Sequence, residues 1–288
     1  MILSPAEKDF LYESLIQKPP IRPDARKEYQ YRPLEAKTSF LPGSNGSARI
    51  RLLDGSECIV SVKSKVVLKT QESNIIEVDI DVSGYRDDSN FVSTLKYNLT
   101  SMIMKNFPIE CLQLTSKYTF KLFIDCIVIS HTSYPLSLIS FTSYLALKST
   151  KLPLLVSEVN DEDVEEQPTF SDDWDRAVSL NDFFNNTKFQ PPIIISIGTV
   201  GSNLLFDPSV EEEQVLENGL VISFLGESVI SPINNLNLAT NSNNNNFKGV
   251  KKDVILESLR MCNKHCGFIV KALDNLIEQD DGGYNTIF

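Results

Sequence analysis

The sequence lacks a surplus of positive charge. Its formal net charge is −11, and nine acidic residues between Glu158 and Asp175, with no base among them, account for most of it. The remainder stands near −2, so the body of the chain has no broad basic footprint of the kind that drives tight RNA binding by a lone protein. It also lacks a disulfide framework: Cys58, Cys111, Cys126, Cys262 and Cys266 are odd in number and scattered, which fits a reduced, intracellular chain. No basic segment followed by an apolar run opens the sequence, so no secretory signal is expected. No run of about 18 uncharged apolar residues offers a membrane span.

Sites with their own chemistry are equally scarce. Cys262, His265 and Cys266 supply three local metal ligands where zinc needs about four, and no fourth is signalled, so a helix with buried cysteines and no metal is expected. His131 follows a strand without a Cys or Ser nucleophile beside it and reads as a hydrogen-bonded structural residue. Gly198-Thr199-Val200-Gly201 lacks the third glycine and following helix of a dinucleotide fingerprint, and reads as a strand-end turn.

What is present is patterned apolar sequence, 42% hydrophobic overall, enough for one large domain or two modest ones. Ser4, Pro5 and Glu7 form a capping-box helix start, and Pro19-Pro20 ends the segment. Residues 48–53 and 58–67 read as strands joined by an Asp54-Gly55 hairpin, and 74–82 alternates apolar and acidic residues as a half-buried strand. A helix built on Phe91, Leu95, Leu99 and Ile103, a strand over 118–130 and an apolar helix over 135–148 follow. The order predicts a two-layer α/β (α+β) fold with helices on one sheet face. Residues 158–188 read as an acidic, loop-rich join. Four more strands (192–200, 204–206, 220–224, 229–232), an asparagine-rich insertion at 234–246 and a final helix within 250–277 complete a second half that repeats strands-then-helix.

Several motifs resemble those of the RNase PH family over roughly residues 21–280. Ile21-Arg22-Pro23-Asp24-Ala25-Arg26 is similar to its opening Arg-Pro-Asp-Gly-Arg signature, with Ala25 in the glycine position. Gly46-Ser47-Ala48-Arg49, the hairpin and strand from Asp54 to Lys63, Asp125-Cys126 in the central strand and Asp207 in a Leu-x-Asp-Pro turn follow in the family's order. The resemblance implies two related βα halves: residues 21–157 and 189–288, preceded by a helical segment at 1–20 and joined by 158–188.

In active members, as the resemblance implies, a Gly-Gly-Thr-Arg-Thr run opens the helix after the central strand and holds the attacking phosphate by helix N–H groups and a bidentate arginine. Counted from Asp125, that run falls on Ser133-Tyr134-Pro135-Leu136-Ser137. Proline removes a donor and leucine replaces the cation, so no cation is expected to meet an anionic nucleophile, and desolvating phosphate against leucine would cost several kcal/mol. Asp207 and Glu213 lie where the family's catalytic acids would, but Glu211, Glu212 and Glu213 together read as a solvated charge run. Arg86, in a strand-to-helix loop, is the one basic residue marked for RNA, against a local ion pair with Asp87 or Asp88. Lys63 and Lys65 read as solvating a strand face.

The resemblance further implies a catalytically silent ring subunit of an RNA exosome, needing no cofactor. Its partners would be other RNase PH-like subunits in a hetero-hexameric ring, S1/KH-type cap subunits and an associated nuclease, with RNA threading the pore. It also implies a nuclear, nucleolar and cytoplasmic location. An active phosphorolytic exoribonuclease and a stand-alone RNA-binding adaptor are the alternatives.

Overall fold

A computed structural model describes residues 3–72, 74–156, 168–180, 189–238 and 248–280. Helix α1 (Pro5–Leu15) starts where Ser4 and Glu7 close the expected capping box. The first half continues through β1 (Leu34–Thr38), β2 (Gly46–Leu52), β3 (Glu57–Leu68), β4 (Ile76–Val82), α2 (Asn90–Asn106), β5 (Tyr118–Ser130) and α3 (Leu136–Lys148). Short strands β6 (Lys151–Leu152) and β7 (Val178–Ser179) pair with each other. The second half holds β8 (Ile193–Val200), β9 (Asn203–Phe206), α4 (Val210–Glu213), β10 (Asn218–Leu225), β11 (Ser228–Leu236) and α5 (Lys252–Asp280).

Five strands of the first half form one sheet in the order β1-β2-β3-β5-β4, and four of the second form another in the order β11-β10-β8-β9. The β2–β3 hairpin turns at Gly55, whose φ of 87° suits a residue without a side chain. In β4, Ile76, Val78, Ile80 and Val82 are buried while Glu77, Asp79 and Asp81 face out, as the alternation requires. Helix α2 lays Leu95, Leu99, Met102 and Ile103 inward, and each such side chain stabilises the fold by about 1.5–3 kcal/mol through its removal from water. Strand β1 was not among the expected elements, although Leu34 and Ala36 alternate with exposed Glu35 and Lys37.

Helix α3 is the centre of the molecule. All thirteen of its residues are buried, because it packs on β2 and β3 on one side and on β8 on the other. Its hydroxyls serve this position. Strand β9 pairs with β8 only from Ile197 to Val200, which leaves the earlier amides of that edge to find other partners. The N–H of Ile194 donates to Ser140 Oγ at 2.7 Å and that of Ser196 to Ser137 Oγ at 2.8 Å.

Two expected loops contain structure. Of the 158–188 join, residues 168–180 fold back on the first half: Phe170 lies 5.6 Å from Phe120, and β7 joins β6. Residues 157–167 and 181–188, which hold most of the acidic tract, lie outside the described residues. The asparagine-rich stretch begins as ladder, since Asn234 and Asn235 pair in β11 with Val221 and Leu220 of β10; residues 239–247 lie outside the described residues.

Candidate functional site

The start of α3 meets the β9–α4 turn of the second half, and all five residues at the degenerate phosphate position are absorbed into this joint. Leu136 is fully buried in the core. Pro135 precedes the helix without a side-chain cap. The Tyr134 N–H, which would face an anion, donates to Glu213 Oε1 at 2.7 Å. Ser133 Oγ accepts from Arg32 at 2.7 Å, and Ser137 is turned to Ser196. The amide next to the helix start is thus met by the protein's own carboxyl group.

Two sequence expectations need correction here. Glu211–Glu213 is not a solvated loop: Ser209 and Glu212 close a capping box on the short helix α4, and Glu212 and Glu213 are buried. Three consecutive acids suggest exposure, but Arg22 arrives from 190 residues away to hold Glu212 with both oxygens, at 2.7 and 2.8 Å. Neither side chain of that pair has any exposure. The second correction is that a cation does reach the site. Arg32, in the segment before β1, donates to Asp207 through Nε at 2.8 Å, to Asp54 at 2.5 Å and to Ser133. Arg26 adds a contact to Asp207 at 3.1 Å, and Arg22 also donates to the carbonyls of Phe206 and Asp207. No motif marks Arg32; the signal that was available is three arginines within residues 22–32 matching an acidic turn at 207–213.

The electrostatics follow from burial. Removal from water pushes the Glu213 carboxyl well above its usual range; the Tyr134 N–H and Arg32 oppose the shift, while Asp207 and Glu212 reinforce it. Asp54 lies below the usual carboxylate range: burial works against ionisation, but hydrogen bonds from Thr132 and Ser56 and the Arg32 charge outweigh it. The three guanidinium groups are already engaged by carboxylates, so an incoming anion would have to break charge-assisted hydrogen bonds to reach one. The cavity beside this network, lined in part by Tyr31, Arg32, Ser133, Ser137 and Asp207, has a volume of about 20 Å³.

Backbone conformation explains the opening signature. Ala25 and Asp207 both have positive φ, 59° and 47°. The signature's glycine suits the left-handed region at position 25, and alanine occupies it under strain.

The other marked residues lie apart from this joint or play supporting parts. His131 Nδ1 is 3.2 Å from the Ser133 carbonyl, and its ring packs with Tyr85 and Phe91; burial holds its pKa below the ordinary value. This is the structural role the sequence suggested. Arg86 is exposed and paired with Asp88 at 2.9 Å. Cys262 and Cys266 are buried in α5, whereas the His265 ring stacks on Tyr29 at 4.2 Å. Among the described residues no cluster of three metal-binding side chains forms. Lys63 and Lys65 are exposed, as expected.

Comparison with known proteins places this geometry. Residues 30–153 match the RNase PH family described as the 3′ exoribonuclease family, domain 1. The exosome complex component RRP42 of Saccharomyces cerevisiae is 44% identical over 96% of this chain and 100% of its own length. The component rrp42 of Schizosaccharomyces pombe is 26% identical over 80% of this chain and 81% of its own. Among solved structures, a chain of the Archaeoglobus fulgidus exosome with RNA bound to the active site superposes with a TM-score of 0.65 at 17% identity, covering 92% of this chain and 97% of that one. Rice Rrp46 gives 0.57 at 14% identity, covering 89% and 100%. The two-halved architecture, the matched domain and the end-to-end likeness together show that the chain belongs to the RNase PH family, in the company of the RRP42 components of exosome complexes.

Proposed function

We propose that this chain is a non-catalytic, architectural subunit of an RNA exosome ring, supporting 3′-to-5′ RNA processing and degradation by shaping the channel through which RNA reaches a nuclease. The observation that carries the silent reading is the filled anion position: Leu136 is buried at the start of α3, and Glu213 takes the Tyr134 amide. An acid that is itself held in the joint, with its pKa raised by burial, has no phosphate to serve. The near-neutral body supports dependence on neighbours for RNA contact, with the exposed Arg86 as this chain's own contribution. The proposed partners are RNase PH-like sister subunits, S1/KH-type caps and the nuclease, in the nucleus, nucleolus and cytoplasm.

Incubating the purified chain, alone and with a co-expressed sister, with single-stranded RNA and inorganic phosphate tests the silent reading. No nucleoside diphosphate release dependent on Asp207 or Glu213 is expected. Release abolished by Asp207→Asn or Glu213→Gln overturns it. Leu136→Arg is expected not to create activity, because Glu213 still holds the Tyr134 amide and Pro135 still offers no donor. For the assembly, affinity capture should recover sister subunits; recovering none sinks the ring.

A further inference from the structure

Helix α5 lies with one side on the body of the molecule, where Ser258, Cys262, Cys266, Val270 and Leu273 are buried at spacings of three and four. Its other side is open, and its charge is ordered. From Ser258 to Leu273 the helix holds no acidic residue, and its exposed charges are Arg260, Lys264 and Lys271. At a rise of about 1.5 Å per residue, the three span about 16 Å along one face. In a chain of net charge −11 this is a local reversal of sign. Arg260 meets Glu257 at 3.2 Å in an exposed pair, which holds it weakly. Exposed Glu227, two residues before Val229, whose N–H donates to Asn263, marks one flank of the strip.

Aromatic surface accompanies these cations. Phe268, between Lys264 and Lys271, is 67% exposed. Three residues earlier, His265 stacks on Tyr29 with ring centroids 4.2 Å apart, and Tyr29 is itself exposed, with exposed Lys27 two residues before it. Gly267 adds an independent observation. Glycine inside a helix is destabilising relative to alanine. A Cβ built on Gly267 would meet no other atom of the chain within 4 Å, so internal packing gives no reason for its absence. Gly267 shares the face of Lys264 and Lys271, being three residues after one and four before the other. A group from outside can approach the helix backbone there more closely than a side chain would allow.

We propose that this face of α5 is a contact site for single-stranded RNA, at a place on the chain separate from Arg86. The three cations meet phosphates, Phe268 stacks a base, and Gly267 admits the sugar–phosphate chain close to the helix. Unpaired bases present flat faces to aromatic rings, and such stacking among cations binds single strands without reading their sequence. An acidic protein segment would satisfy the cations, but the convex strip offers no apolar groove to anchor one. Three cations make a weak, salt-dependent contact, in keeping with the near-neutral body of the chain.

The test uses the full chain, alone and co-purified with sister subunits, and a circular uridine-rich RNA carrying 4-thiouridine, which has no end to thread through a ring. Ultraviolet cross-links are expected within residues 260–272. Arg260→Gln/Lys264→Gln/Lys271→Gln should weaken binding at least tenfold and lower the slope of log affinity against log salt by about 2. Phe268→Ala should weaken it about tenfold. Gly267→Ala should melt no earlier than wild type, because its Cβ meets nothing in the chain, and should still lose cross-links. Unchanged affinity and cross-links in the triple variant overturn the inference. A polyglutamate peptide that binds as tightly as RNA, with Phe268→Ala without effect, assigns the face to an acidic protein segment and overturns it too. So does protection of Phe268 from hydroxyl radicals in the RNA-free assembly, which would show a sister subunit covering it. Cross-linking of α5 in the isolated chain supports the site whether or not a sister is captured, so this inference and the architectural reading fail separately.

Discussion

At the scale of single residues, Leu136 fills the start of α3 and Arg32 ties the opening segment to Asp207. Leu136 could be placed at the start of a helix by counting from Asp125, because strand and helix boundaries near it are strongly patterned. Arg32 could not be placed, because nothing in its neighbourhood announces a salt bridge to Asp207, 175 residues later. Ala25 lies between these cases: its position in the signature was clear, and its φ of 59° now supplies the physical reason glycine suits it. Ala25→Gly should therefore stabilise the chain by about 0.5–1 kcal/mol, the left-handed penalty relieved less the entropy glycine adds to the unfolded chain. A rise in urea midpoint at unchanged slope would verify it.

Glu213 gives a second residue-scale expectation. Its folded-state pKa is raised above the unfolded value near 4.5, so between those values the folded state binds more protons. Stability from this group is therefore present below about 4.5 and declines as pH rises through the window. Glu213→Gln keeps an acceptor for the Tyr134 amide and cannot ionise. Relative to wild type, the variant should gain stability as pH rises above about 4.5 in urea melts. A pH-independent difference would mean that Glu213 is not held in an unfavourable charged form.

At the scale of elements, hydrophobic periodicity carried most of the fold. The β2–β3 hairpin, the alternation of β4 and the stripe of α2 all followed from spacing. Helix α3 was expected as an apolar helix, yet its serines have a use the period does not express. Ser137 and Ser140 stand where a longer β9 would have been, accepting hydrogen bonds from the β8 edge. Ser137→Ala or Ser140→Ala should each cost about 1–3 kcal/mol, the price of a buried amide left without a partner. An effect below a few tenths of a kcal/mol in denaturant melts would show that the edge amides find other acceptors. The acidic run at 211–213 was misread for a related reason: charge predicts solvation unless a partner comes from elsewhere in the chain, and here Arg22 does.

At the scale of the whole molecule, the two halves are joined by polar contacts as well as by packing. Residues 22–32 run across the second half, with Arg22 on Glu212 and Arg32 on Asp207. Because Arg22 and Glu212 are entirely buried, Arg22→Ala would strand a carboxylate without its counter-ion. The expected loss is roughly 3–5 kcal/mol, larger than for a surface pair. Arg22→Ala/Glu212→Ala should recover part of it, and a double-mutant cycle measures the difference. Additive single losses would show that the pair does not act as a unit. The division into two βα halves was implied by the family resemblance, with a repeated strands-then-helix order beside it; that they close on each other through arginines of the opening segment was not legible.

The joint also sets a timetable. A ribosome releases Arg22 well before Glu212, and the 190 residues between them take about 10–40 s to synthesise at 5–20 residues per second. The first half can assemble its sheet in that interval, but its leading segment has no Asp207 or Glu212 to hold and α3 has no β8 edge to receive. The nascent chain therefore passes through a stage in which a finished sheet carries an unlatched, positively charged leader.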